Sequence, residues 1–170
     1  MERIARFEKV SKERFLDDIA ELIPDHDAAA AVYDSMALPV RATTGSAGYD
    51  FRTPVDFTLA PGETIKIPTC IRCRIADGWV LAVFPRSGLG FKYRLQLNNT
   101  VGIIDSDYYN SDNEGHIFIK ITNDSVEGKT VSLKAGEAFA QGIFLPYGIT
   151  EDDDATGIRN GGFGSTGKRN

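Results

Sequence analysis

A chain of 170 residues, 42% of them hydrophobic, is long enough to bury one substantial core and is expected to form a single domain with a short appendage. Its 19 basic and 24 acidic residues leave a net charge of -5, which argues against stable nucleic-acid binding but not against a small phosphorylated ligand held by a local basic cluster. No stretch approaches the roughly 18 consecutive apolar residues of a membrane span, and Met1-Glu2-Arg3-Ile4-Ala5-Arg6 has no apolar signal core, so a cytoplasmic protein without membrane contact is expected.

Residues 1–38 read as a helical N-terminal extension. Ser11 can cap a helix whose Phe15, Leu16, Ile19, Leu22 and Ile23 form one apolar stripe closed by Pro24, and Asp27 can cap a second, alanine-rich helix through Met36, ended by Pro39. From about residue 40 the pattern changes to short alternating runs. Val55–Leu59, Thr64–Ile67, Trp79–Phe84, Ile117–Ile121 and Thr130–Leu133 are strand-like, and Pro61-Gly62, Asp77-Gly78, Glu127-Gly128 and Ala135-Gly136 supply turns between strands. Without alternating strands and helices, an all-β sandwich or barrel over 39–150 is expected, followed by a mobile glycine-rich tail over 151–170. Cys70 and Cys73 form C-x-x-C inside an apparent strand Ile65–Ile75, where residues three apart face opposite ways, so two unlinked thiols are expected instead of a metal half-site.

Polar residues that a core would not request interrupt this β pattern. Asp50 follows a glycine turn in Ser46-Ala47-Gly48-Tyr49-Asp50. Arg86, Ser87 and Gly88 follow a strand end, a loop able to surround phosphate oxygens. Asn99 carries both a donor and an acceptor for a base edge, and Asp105 follows Ile103 and Ile104, placing a carboxylate that can take a proton from water at the mouth of an apolar pocket. Gln141 is a lone amide in an apolar strand. The tail combines Arg159, Phe163, Gly164, Ser165, Thr166 and Lys168 as charge, ring, flexible backbone and hydroxyls. It fails as a P-loop because Arg169 and Asn170 follow Lys168, and as a dinucleotide fingerprint because no strand leads in and no helix follows.

In order, Ala47-Gly48-Tyr49-Asp50, Pro85-Arg86-Ser87-Gly88, Gly102-Ile103-Ile104-Asp105-Ser106-Asp107-Tyr108, Gly136-Glu137 through Ala140-Gln141, and Gly161-Gly162-Phe163-Gly164-Ser165-Thr166-Gly167 resemble the motifs of the trimeric all-β dUTPase family across residues 39–168. The resemblance implies a jelly-roll-like subunit, a homotrimer with shared active sites, and Mg²⁺-dependent hydrolysis of dUTP to dUMP and pyrophosphate, limiting uracil in DNA and supplying dUMP for thymidylate. It implies Asp105 as general base for attack on the α-phosphorus and Tyr108 against the deoxyribose. By the same carry-over, Asn99 with the backbone of Gly102, Ile103 and Ile104 would meet uracil, while Arg86, Ser87, Gly88 and Gln141 would hold phosphates. Asp50 would reach the metal through a bound water. Phe163 and Gly164 would close over the base, with Ser165, Thr166 and Arg159 on the phosphates.

Two departures stand out. Tyr109-Asn110-Ser111-Asp112-Asn113-Glu114 separates Tyr108 from Gly115 where the family has one residue, an insertion of about five residues of the kind a surface hairpin accommodates at low cost. The family arginine lies five residues before the phenylalanine, where this chain has Ile158, so the resemblance carries its role to Arg159 only across a one-residue shift and leaves open whether Arg159 replaces it. The rival readings are a dCTP deaminase, which would need an acid/base pair at the pyrimidine C4, and a non-catalytic nucleotide sensor or protein-binding module on the same fold.

Overall fold

Strand alternation sets the core of the computed structural model, which describes residues 2–161. The order is β1 (Ala5–Lys9), α1 (Lys12–Ile19), α2 (His26–Ser35), β2 (Val40–Arg41), β3 (Tyr49–Arg52), β4 (Phe57–Leu59), β5 (Thr64–Pro68), β6 (Ile71–Ile75), β7 (Trp79–Pro85), α3 (Ser87–Tyr93), β8 (Leu95–Leu97), β9 (Gly102–Ile104), a 3₁₀ turn (Ser106–Asn110), β10 (Phe118–Asn123), β11 (Val131–Leu133) and β12 (Ala138–Pro146). Ile71, Cys73 and Ile75 of β6 point inward while Arg72 and Arg74 point out, and β4, β8 and β11 alternate in the same way.

The strands make a β-sandwich in which every pairing is antiparallel. A five-stranded sheet, β2-β3-β12-β7-β9, packs with β5-β10-β8 and the pairs β11-β4 and β1-β6. Phe51, Ile67, Leu81, Ile121, Val131 and Phe139 lie fully buried between the layers, each stabilising the fold by about 1.5–3 kcal/mol through removal from water. At the end of β10, buried Asn123 donates to the carbonyls of Leu59 and Lys129, both at 2.8 Å, and its Oδ1 accepts from Ser125 N–H at 3.1 Å. One amide thereby ties the end of β4 to the turn before β11.

The four glycine turn signals all carry positive φ, the conformation that tight turns between strands use glycine for. Other local expectations are corrected. Residues 5–9, inside the segment expected to be helical, form β1 and pair with β6. The α1 helix is capped by Ser11 but its α-helical turns stop at Ile19, well before Pro24. Asp25, not Asp27, caps α2, its Oδ1 accepting from Ala28 N–H at 2.7 Å. The apparent strand 65–75 is broken at Cys70, whose φ is +68°, because Thr69 and Cys70 turn their N–H groups to Ile117 O and His116 Nε2.

That break sends the two thiols into different cores. Cys70 packs with Val10, Phe15, Ile19, Ala29 and Met36 under the N-terminal helices, while Cys73 belongs to the sandwich core. Burial pushes both thiols up to about 12, so they are inert packing groups. Among the described residues no helix is long and apolar enough to cross a membrane.

Candidate active site

The residues singled out from sequence fall into three neighbouring groups. The first straddles the middle of the five-stranded sheet, where Gln141 of β12 stands opposite Asp50 of β3 on one side and Phe84 of β7 on the other. Gln141 Nε2 donates to Pro85 O at 3.3 Å, and Arg86, just past β7, brings its Nε to 3.5 Å from Asp50 Oδ1. Gly48 makes room for the amide: a Cβ there would lie 2.5 Å from Gln141 Oε1.

The Arg86-Ser87-Gly88 segment is not the irregular loop expected from its glycines. Arg86 caps α3, its carbonyl accepting from Leu89 and Gly90 N–H at 3.1 and 3.0 Å, and Arg94 in the left-handed region (φ +51°) ends the helix. Ser87 and Gly88 are exposed in its first turn. Two glycines inside a helix cost about 1 kcal/mol each relative to alanine, which is why propensity hides it.

The second group is an apolar cleft of ≈ 280 Å³. Its floor includes Val83, Leu97, Ile104 and Ile119, and its mouth carries Asn98 and Asn99 from the β8–β9 connection. Asn98 Oδ1 is taken by the Thr122 hydroxyl at 2.9 Å, whereas the exposed Asn99 side chain has no hydrogen bond among the described residues. Gly102 pairs with Val83, and a Cβ on it would sit 3.1 Å from Val83 Cβ, so glycine keeps β9 close to β7.

Alternation along β9 turns Ile104 into that cleft and Ile103, 56% exposed, out of it. On the Ile103 side lies the third group, a shallow cleft lined by Val80, Asp105, Ser106, Asp107, Tyr147 and Arg159. Asp105 caps the 3₁₀ turn after β9 and is half-exposed. Arg159 bridges both carboxylates, its Nη2 donating to Asp105 Oδ2 at 2.5 Å and its Nε to Asp107 Oδ1 at 2.8 Å. The cation expected to await phosphate is thus partnered by the carboxylate expected to act as base.

Tyr108 lies behind this cleft, buried, and lines neither cavity. Its hydroxyl donates to His116 O at 2.7 Å and accepts from Asn113 Nδ2 at 2.8 Å, while burial raises its pKa above the usual phenol value. Phe163, Gly164, Ser165 and Thr166 lie outside the described residues. The sequence reading missed the grip of Asn113, Glu114 and His116 on the Tyr108 loop; the one signal for it was the insertion itself.

No three His, Cys, Asp or Glu side chains converge as a metal-holding group among the described residues. The three groups share adjacent strands β3, β12, β7 and β9, and neither the apolar nor the shallow cleft is lined by all of them among the described residues.

A family model described as dUTPase matches residues 34–167. The deoxyuridine 5'-triphosphate nucleotidohydrolase of Lactococcus lactis subsp. lactis is 42% identical over 133 residues, covering 76% of this chain and 87% of that one. The protein of the same name from Tolumonas auensis is 40% identical over 147 residues, covering 82% and 93%. Among solved structures, the dUTPase of Streptococcus mutans superposes with a TM-score of 0.62 at 32% identity, covering 85% of this chain and 98% of that one. A dUTPase variant from phage phi11 of S. aureus, described with a structural Mg(II) ion, shares the fold at TM-score 0.62 and 20% identity, covering 91% and 98%.

Proposed function

Since the chain belongs to the dUTPase family and hydrolyses dUTP to dUMP and pyrophosphate, we propose that Asp105 is the general base of that reaction. The observation that carries this reading is the position of Asp105, half-exposed just past the strand whose Gly102 and Ile104 wall the apolar cleft. Uracil enters that cleft, meeting the unpartnered Asn99 amide and the backbone of Gly102, Ile103 and Ile104. Asp105 takes a proton from the water whose oxygen bonds to the α-phosphorus, the bridging P–O bond to the β-phosphate breaks, and pyrophosphate leaves. Arg159 must release Asp105 first, and the triphosphate oxygens are its exchange partners.

Arg86, Ser87, Gly88 and Gln141 hold the phosphates, and Tyr108 packs against the deoxyribose where a 2′-hydroxyl would collide. Phe163 and Gly164 close over the base, with Ser165 and Thr166 on the far phosphates. Mg²⁺ neutralises charge on the triphosphate when bound, and Asp50 would reach it through a water. The distribution of these groups over separate surfaces of one chain supports a homotrimer in which different subunits complete each site. Exposed Phe91, Ile103, Tyr147 and Ile149 are the apolar surface such an assembly would cover. We also place the protein in the cytoplasm.

Asp105→Asn should bind a non-hydrolysable dUTP analogue as the wild type does while turnover falls by about 10²–10⁴, the range of a positioned acid/base group. Pyrophosphate release and analogue titration measure the two. Undiminished turnover would remove Asp105 as the base.

A further inference from the structure

The insertion after Tyr108 is fastened to the N-terminal extension at separated points. The Tyr109 hydroxyl donates to Glu8 Oε2 of β1 at 2.7 Å, and its ring lies 3.6 Å beneath the Arg72 guanidinium. Glu114 accepts from both the backbone N–H and the hydroxyl of Ser11, the cap of α1, at 2.7 and 2.6 Å. Gly115 (φ +70°) lets the turn fold back, since a Cβ there would come within 2.7 Å of Tyr109 Cα and 2.8 Å of Tyr108 O.

A further fastening runs to Tyr108 itself. His116 is fully buried, and its Nε2 accepts from Cys70 N–H at 2.9 Å. The ring proton therefore sits on Nδ1 and is given to Asp18 Oδ2 of α1 at 2.6 Å, with Arg14 Nε 3.2 Å from the same oxygen. The backbone carbonyl of this clamped residue receives the Tyr108 hydroxyl, and Asn113 Nδ2 bridges that hydroxyl and that carbonyl at 2.8 and 3.3 Å.

The geometry points to Asp18 and His116 as positioning residues for the Tyr108 ring, making the N-terminal extension part of the apparatus that selects deoxyribose over ribose. The inference rests on the reading of Tyr108 as the sugar-facing ring. Exclusion of a 2′-hydroxyl is steric, and a wall rejects by collision only as sharply as it is stiff. Without Asp18 the buried His116 Nδ1–H loses its acceptor, the imidazole has reason to tilt, and the carbonyl carrying Tyr108 moves with it.

The test is the ratio of kcat/KM for dUTP to that for UTP in the full chain. Asp18→Ala should lower the ratio about tenfold, a modest part of the discrimination a shaped pocket can reach, by raising kcat/KM for UTP while kcat for dUTP stays near wild type. Asp18→Asn keeps an acceptor for Nδ1–H and should keep the ratio. Glu114→Ala, which removes both acceptors of Ser11 at a more exposed fastening, should lower it about threefold and decides the matter if Asp18→Ala does not fold. A purely structural role would shift thermal stability and leave the ratio alone. An unchanged ratio in folded Asp18→Ala, or in Glu114→Ala where Asp18→Ala does not fold, overturns the inference. If Tyr108→Ala itself keeps the ratio, the reading of Tyr108 fails instead.

Discussion

Replacing Gly48 by alanine should separate catalysis from stability. The new Cβ would lie 2.5 Å from Gln141 Oε1, but its next neighbours, Gln141 Cδ and Cβ, are at 3.4 and 3.5 Å, ordinary contact distances. The collision is with the far end of a flexible side chain, and rotating the amide relieves it. The rotation gives up the 3.3 Å bond to Pro85 O, costing about 0.5–1.5 kcal/mol. Gly48 has no positive φ, so alanine also stiffens the unfolded chain and returns about 0.4–1 kcal/mol. Stability should therefore change by less than about 1 kcal/mol. Gln141 would no longer face a phosphate, and losing a hydrogen bond to a charged group, about 1.5–3 kcal/mol, lowers kcat/KM by about ten- to more than a hundredfold. Steady-state pyrophosphate release and urea unfolding at one protein concentration measure the two effects. A stability loss above about 2 kcal/mol with kcat/KM unchanged would show that Gly48 serves packing and that Gln141 does not touch substrate.

Other residues give equally direct expectations. Asn123→Ala strips a buried donor from two carbonyls and should destabilise by about 2–4 kcal/mol, read as a lower urea midpoint at constant m-value, without altering substrate preference. For Glu114, burial raises the pKa, but the two bonds from Ser11 outweigh it and hold the carboxyl below its usual value. Its contribution should be fully present above the ordinary glutamate value of about 4.3 and vanish as pH falls through the depressed folded-state value. The stability difference between wild type and Glu114→Gln, followed by thermal unfolding from pH 7 to acid, should shrink in that direction; a constant difference would deny the linkage.

The strands were readable where alternation was clean, as in β10, where a short apolar run stood alone, as in β7, and where a glycine corner bounded them. What escaped was decided elsewhere in the chain. Arg6 and Glu8 disguise β1 as surface sequence, although Phe7 between them packs edge-on against Phe51 at 5.8 Å. Nothing in Thr69-Cys70 announces a break, because the partner that draws the backbone aside, His116, lies 46 residues away. Asp25 and Asp27 carry the same side chain, and only the geometry after Pro24 chooses between them. Of the candidate site, the residues on and beside the sheet were legible as polar interruptions of apolar strands. The Asp18–His116 and Ser11–Glu114 contacts were not, since each joins residues about a hundred positions apart, where no local periodicity carries information.

The strand at the middle of the five-stranded sheet is also, among the described residues, the last strand in chain order. β3 and β7 meet only through β12, so until residue 146 is available the chain holds two open edges separated by the width of one strand. Asp50 and Arg86 wait on opposite sides of that gap. During translation such a slot accepts any passing extended segment with free N–H and C=O groups, and the chain's own terminal strand must win that competition. A stop or a stall before Ala138 therefore does more than shorten this protein. It leaves a template for aggregation with other nascent chains.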